Sequence, residues 1–204
     1  MLPKSRKMNS PNHQLILASG SPRRKQLLEA AGYSFTVLVP DESVEQAVDS
    51  SLSPREFVIE AAFQKAKAVA LAIANEVDSG IVLAADTVAE CDGQIIGKPR
   101  DRVHAKEILL TMSGTSHAVL TGVCLWNCET GKSVKNCEST LLQMDELSAD
   151  WLEGYLDSEK WRGKAGAFGY QDGLDWIRVV DGLESNVVGL PIEKLRGWLA
   201  EVGE

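Results

Sequence analysis

The stretch "LILASGSPRRKQLLEAAG", Leu15 to Gly32, reads as a short apolar strand, a tight Gly-Ser loop and a helix. Ser21 is a natural N-cap, Pro22 suits the first helical position and Gly32 marks the C-terminal stop. Leu27, Leu28 and Ala31 supply an apolar stripe. Arg23 and Arg24 sit awkwardly in the first turn, where the helix dipole is already positive and each added cation costs roughly 0.3–1 kcal/mol. Either the two guanidiniums are solvated and the penalty is tolerated, or an anion is meant to sit among them. For the anion speak the free N–H groups of a Gly-Ser loop at a helix start, the hydroxyls of Ser19 and Ser21, and the forked cations, all suited to phosphate oxygens. A solvated arginine pair beside an ordinary cap is the competing reading.

Working outward, "SFTVLVP" reads as a second strand and "DESVEQAVDSS" as an acidic loop. A long helix follows in "SPREFVIEAAFQKAKAVALAIANE", with Ser53, Pro54 and Glu56 forming a capping box. "GIVLAADTVAE" is a β-branched apolar strand, and Asp92-Gly93 turns it into another. "RDRVHAKEILLTMSG" is an amphipathic helix stopping at Gly114, and two long strands flank "ETGK" as a hairpin. "LSADWLEGYLDS" is a helix capped by Ser148, residues 164–191 a Gly-rich loop broken by short strands, and "PIEKLRGWLAEV" a closing helix. Strands and helices alternate first and an antiparallel hairpin follows, so the fold class is α/β with a mixed sheet.

The 204 residues are enough for one domain with a substantial core, and 44% hydrophobic with 25% charged residues is ordinary for a globular protein. A net charge of −8 argues against a general nucleic-acid or membrane-surface binder, so any basic site must be local. No apolar run approaches the ~20 residues that span a bilayer. The first thirteen residues, "MLPKSRKMNSPNH", lack the apolar centre of a signal peptide and read as a disordered tail, leaving residues 14–204 as one domain. Cys91, Cys124, Cys128 and Cys137 show no C-x-x-C pairing and read as reduced thiols of a cytoplasmic protein.

Several residues break their local pattern. Asp86 follows "IVLAA" at the inner end of a strand that wants burial on both faces, where a carboxylate needs a cation, a metal or several donors. Lys65 interrupts the stripe of Val58, Ala62, Val69 and Ala72, unless it snorkels outward. Lys98 in "GKP" is a weak signal alone, and Glu42 and Glu45 are metal ligands or merely solvated. His104 and His117 have no companions of a zinc-protease or serine-triad motif. In "GKAGAFGYQDG", small residues let backbone pass close to a ligand, and Gln171 is able to read a base edge. These pieces suggest a polyphosphate pocket with a metal and an activated water. Hydrolase, kinase and nucleotide-binding regulator all fit them.

The pieces "LASGSPRR", "QKAKAVA", "AADTV", "GKPRD", "MSGTSHAVLTGV", "KAGAFGYQDG" and "NVVGLP" resemble, in order and from Leu15 to about Leu195, the Maf family of nucleoside triphosphate pyrophosphatases. The resemblance implies a mixed, strongly bent sheet flanked by helices, with two lobes around a central cleft, as in inosine-triphosphatase-like folds. It implies attack of water on the α-phosphorus of a nucleoside triphosphate, releasing monophosphate and pyrophosphate. Asp86, Lys65 and Lys98 take catalytic roles on this resemblance, with Ser19, Arg23, Arg24, Thr87 and Gln171 binding substrate. Glu45 and Asp86 would hold Mg²⁺ or Mn²⁺, with Glu42 as the alternative to Glu45. Gln171 and Thr87 resemble the branch acting on dTTP and UTP; a 7-methyl-GTP pyrophosphatase and a non-catalytic regulator of cell division are the alternatives. A homodimer, with no stable nucleic-acid or membrane partner, is also implied. Three positions depart from the family pattern: "VEQ" at Val44–Gln46 for an acidic triplet, Gly163 for an Asp, and Phe168 for a Tyr.

Overall fold

A computed structural model describes residues 14–77, 79–170, 173 and 175–203. The tail expected over residues 1–13 and the expected ligand Gln171 lie outside the described residues. Seven strands form one mixed sheet: β1 (Gln14–Leu17), β2 (Phe35–Val37), β3 (Gly80–Cys91), β4 (Gln94–Ile96), β5 (Ser116–Asn127), β6 (Ser133–Met144) and β7 (Ile177–Asp181). Their order is β2-β1-β3-β5-β6-β7, with β4 folded back on β3. β1 is parallel to both β2 and β3, and every later pairing is antiparallel. The mixed sheet flanked by helices is therefore present, and β3 lies inside it.

Two helices begin where their caps demand. In α1 (Pro22–Ala30) the Ser21 side chain accepts from the Arg24 N–H, and α3 (Pro54–Ala72) carries the expected capping box. The buried stripe of α3 is Val58, Ala61, Ala62, Lys65, Ala66, Val69 and Ala70; Ala72, expected on it, is exposed. Helices α4 (Arg102–Met112) and α5 (Ala149–Asp157) pack with β5 and β6 around Leu109, Leu142, Leu156 and Trp161. Helix α7 (Ile192–Gly203) joins α1 on one face of the sheet, where Leu28, Leu83, Ala85, Leu195 and Leu199 meet. On the other face α3 meets Ile16, Ala18, Val82 and Ala84.

The expected acidic loop contains a single helical turn, α2 (Ser43–Gln46). The late Gly-rich segment is also more ordered than expected: a 3₁₀ turn at Ala165–Ala167 precedes β7, and α6 (Glu184–Val188) follows it. Both are short enough to escape a periodicity argument, because one turn shows no repeat of its apolar spacing.

Side-chain alternation along β3 decides what each face receives. Leu83 and Ala85 face α1 and α7, whereas Val82 and Ala84 face α3. Continuing the alternation puts Asp86 toward α3 and Thr87 toward α1. Gly122 of β5 is paired with Asp86, and a Cβ there would lie 2.1 Å from the Val58 carbonyl oxygen. The missing side chain is what lets α3 lie directly on the sheet beside Asp86.

Candidate active site

Where β1 gives way to α1, the sheet opens into a cleft of about 410 Å³. Its lining comes from residues 18–24, residues 39–45, Lys65 of α3, Asp86 to Ala89 of β3, Lys98, residues 163–170 and residues 187–189. All the expected site residues that fall among the described ones are here. Asp86 is mid-strand rather than at the strand's inner end, because β3 continues five residues past it to Cys91.

Asp86 is 6% exposed and Lys65 9%, so neither charge is solvated. The Lys65 ammonium reaches Asp86 Oδ1 at 2.6 Å and Glu45 Oε2 at 2.9 Å. The alternative of a lysine snorkelling to solvent is overturned: two buried turns of α3 place Lys65 over Asp86, and the carboxylates hold it there. Burial pushes the Glu45 carboxyl up, but the hydrogen bond and charge of Lys65, with Lys98 and Arg24 further off, outweigh it and hold the group below its ordinary value. Glu42 also borders the cleft and is exposed like Glu45, but it forms no ion pair among the described residues, so of the two expected acidic residues Glu45 is the one joined through Lys65 to Asp86.

The two arginines that opened the sequence question have different situations. Arg24 donates from Nε to Gly189 O at 2.8 Å, from Nη1 to Ser19 Oγ at 3.0 Å and from Nη2 to Thr87 Oγ1 at 3.0 Å. Burial pushes its guanidinium below the ordinary value, the Asp86 charge raises it again, and Arg23 lowers it further. Arg23 borders the cleft half-buried and forms no hydrogen bond or ion pair among the described residues. Lys98 is exposed at the rim and is likewise unpaired there. Ser19 Oγ accepts from Arg24 and from the Ser21 N–H, which keeps its own proton available to a ligand.

Among the described residues, four acidic side chains line the cleft, Asp41, Glu42, Glu45 and Asp86, against four basic ones, Arg23, Arg24, Lys65 and Lys98. The charge is balanced, contrary to a simple basic pocket. No group of three or more His, Cys, Asp or Glu side chains is placed to hold a metal among the described residues. Two hard carboxylates without an all-protein cage do suit Mg²⁺ or Mn²⁺, which bind one or two carboxylates and complete their shell with water and substrate phosphates.

The second wall is apolar. Phe168 is buried against His117 and Trp176, with ring centroids 5.7 and 6.0 Å away in edge-on contacts. Tyr170 borders the cleft and donates its hydroxyl to Glu184 at 2.9 Å. Gly163 has φ +68°, a backbone state that the Asp of the family pattern would adopt only under strain. Sequence reasoning missed Tyr170, Gly122, Thr121 and Asn186. For Asn186 the sequence does carry a signal, since it opens the motif "NVVGLP" and an amide in an apolar run needs partners.

Residues 14–202 match the model of the family described as Maf-like protein, and the chain belongs to that family. A dTTP/UTP pyrophosphatase of Rhodopirellula baltica is 53% identical over 188 residues, covering 91% of this chain and 81% of that protein. Those named dTTP/UTP pyrophosphatase in Syntrophomonas wolfei subsp. wolfei and Bdellovibrio bacteriovorus are 38% and 42% identical, each covering 92% of this chain and 96% and 97% of their own.

Proposed function

We propose that this protein hydrolyses a nucleoside triphosphate to the monophosphate and pyrophosphate, with dTTP and UTP as its substrates. One observation carries the reading: a buried carboxylate, Asp86, is tied through Lys65 to Glu45 inside a cleft that also holds Arg23 and Lys98, two cations without partners among the described residues. The dTTP/UTP pyrophosphatases among its relatives support the choice of pyrimidine nucleotides.

In this reading a water attacks the α-phosphorus, and the bond from that phosphorus to its bridging oxygen breaks. Pyrophosphate leaves with the electron pair of the broken bond. The water's proton passes to Asp86 at Oδ2, the oxygen that Lys65 does not hold. Lys65 keeps the acceptor oriented and its Oδ1 charge compensated. Arg23, Arg24 and Lys98 neutralise charge on the phosphates as the leaving group forms, the kind of electrostatic stabilisation that dominates phosphoryl transfer. A divalent ion, held by Asp86 and Glu45, would supply Lewis-acid polarisation of phosphate oxygens and offset the triphosphate charge that an electrically balanced cleft leaves uncompensated.

The two-lobed single domain over residues 14–204 and the homodimer remain part of the proposal, and sedimentation of the purified chain tests the dimer. Four free cysteines suit a reducing, cytoplasmic setting. Among the described residues no helix is long and apolar enough to cross a membrane.

The deciding experiment incubates the protein with Mg²⁺ or Mn²⁺ and each canonical and modified triphosphate, then assays pyrophosphate. Release from dTTP and UTP well above release from purine triphosphates is expected. Preference for 7-methyl-GTP overturns the substrate assignment, and binding without release favours a nucleotide-binding regulator.

A further inference from the structure

Behind the polar wall of the cleft runs a chain of buried hydroxyl and amide groups for which the proposed reaction has no direct use. Thr87 Oγ1 and Thr121 Oγ1 lie 3.0 Å apart on paired residues of β3 and β5. Thr121 Oγ1 donates to the Asn186 carbonyl oxygen at 3.0 Å. A hydroxyl has one proton, so with the Thr121 proton on the Asn186 carbonyl, Thr87 donates to Thr121, which at 3.0 Å is a nearer acceptor than Gly189 O at 3.5 Å. Thr87 in turn accepts from Arg24. The bonds therefore all run one way, from the guanidinium through Thr87 and Thr121 to a carbonyl of α6. Chains with this head-to-tail sense polarise one another and strengthen.

The far end is anchored as firmly. Asn186 Nδ2 donates to Val119 O at 2.9 Å and to Thr140 Oγ1 at 3.0 Å, although its Oδ1 is buried without a partner among the described residues. Thr140 Oγ1 donates to Leu183 O and accepts from the Leu183 N–H, both at 3.0 Å. Thr121, Thr140 and Asn186 are fully buried. At the end of α6, Gly189 O receives the Arg24 Nε–H, which closes a ring from Arg24 through two strands and a helix back to Arg24. Two of the five N–H donors of Arg24 are consumed in this ring and a third by Ser19, leaving one on each terminal nitrogen.

We infer that Thr121 and Asn186 are positioning residues: through Thr87 and Gly189 they hold the Arg24 guanidinium in one orientation at the cleft wall, with two donors reserved for a phosphate. This rests on the pyrophosphatase reading above. An arginine on a helix terminus otherwise explores many rotamers and has to be ordered each time substrate binds. A preset guanidinium is already aimed where transition-state charge develops, so loosening it affects turnover more than ground-state affinity.

The test is a double-mutant cycle with UTP. Thr121→Val keeps the shape and removes the hydroxyl, and is expected to lower kcat roughly tenfold with KM changed by less than about twofold. Thr121→Ser restores the hydroxyl and is expected to recover most of the turnover. Thr121 acts through Arg24, so in an Arg24→Lys background Thr121→Val should lower kcat by less than about twofold further. Should Thr121→Val not fold, Thr140→Val, two hydrogen bonds further from Arg24, is expected to give a smaller loss of kcat in the same sense. Additive losses of kcat, or a lower Tm with kcat unchanged, would overturn the inference and leave the ring as scaffolding. A wild-type protein that releases no pyrophosphate from any triphosphate would instead overturn the functional reading.

Discussion

The wall of the cleft built from residues 18–24 and 187–189 is held by a network of side-chain hydrogen bonds around a guanidinium, whereas the wall from residues 163–170 combines ring packing with bonds to its backbone, from Gly166 N–H to Gly97 O and from the Tyr155 hydroxyl to Ala167 O. On the first, Ser19, Arg24, Thr87 and Gly189 bond one another, and Thr121 and Asn186 back them. On the second, Phe168 meets His117 and Trp176 edge-on, and both His117 nitrogens and the Trp176 Nε1 are buried without partners among the described residues. Directed bonds fix the orientation of a charged group, which suits phosphate. Ring packing fixes only shape, which suits the uncharged part of a ligand.

The largest effect is expected where the first wall meets the chemistry. Asp86→Asn preserves size but removes the proposed proton acceptor, so turnover should fall about 10²- to 10⁴-fold with the fold retained. Pyrophosphate assay and a thermal melt on the same sample measure it. Near-normal turnover would end Asp86's role as base.

Next comes the support beneath Asp86. Gly122→Ala would put a methyl 2.1 Å from the Val58 carbonyl oxygen, which is backbone and unable to swing aside. Helix α3 has to lift, and Lys65 lies two turns further along it. A loss of about 3 kcal/mol is expected from such overpacking, read by urea unfolding, with turnover falling as the Lys65–Asp86 pair loosens. Unchanged stability would mean that the close approach of α3 is not needed.

The apolar wall should reveal itself through pH. Burial pushes the His117 imidazole down to about 4 from an ordinary 6.5. The unfolded chain therefore takes up a proton that the folded one refuses, so this contribution is intact above pH 6.5 and is lost as pH falls toward 4. Between pH 7 and pH 5 the wild type should lose about 2 kcal/mol from this group. His117→Met has no proton to accept, and the difference in stability between the two proteins should shift by that amount over the interval. A constant difference would show that His117 protonates freely when folded.

The sequence made the strand–loop–helix, the long capped helix and the hairpin legible because each spans enough residues to show a period or a cap. The cleft-lining residues that interrupt a period were equally legible: Lys65 in a buried stripe and Asp86 in a buried strand. Their contact was not, since a distance between α3 and β3 depends on Gly122, whose role is invisible without its partner. Thr121 was missed for the opposite reason. A threonine inside a β-branched strand breaks no pattern, and its hydroxyl acquires meaning only from residues 34 and 65 positions away. The acidic loop was misread because α2 is one turn long.

The smallest effect concerns the two arginines, which share one helical turn yet divide its labour. Arg24 is committed to the first wall, so Arg24→Ala should reduce stability as well as activity. Arg23 has no partner among the described residues, so nothing in the fold depends on it and the positive helix terminus even disfavours it. Arg23→Ala should leave the Tm unchanged or slightly raised while KM for UTP rises about tenfold, as expected for one lost charge-assisted contact. A half-buried charge with no partner among the described residues is also screened by salt. Wild-type KM should therefore rise more steeply with ionic strength than that of Arg23→Ala, whereas equal slopes and equal KM would place Arg23 outside the phosphate site and return it to the solvated reading.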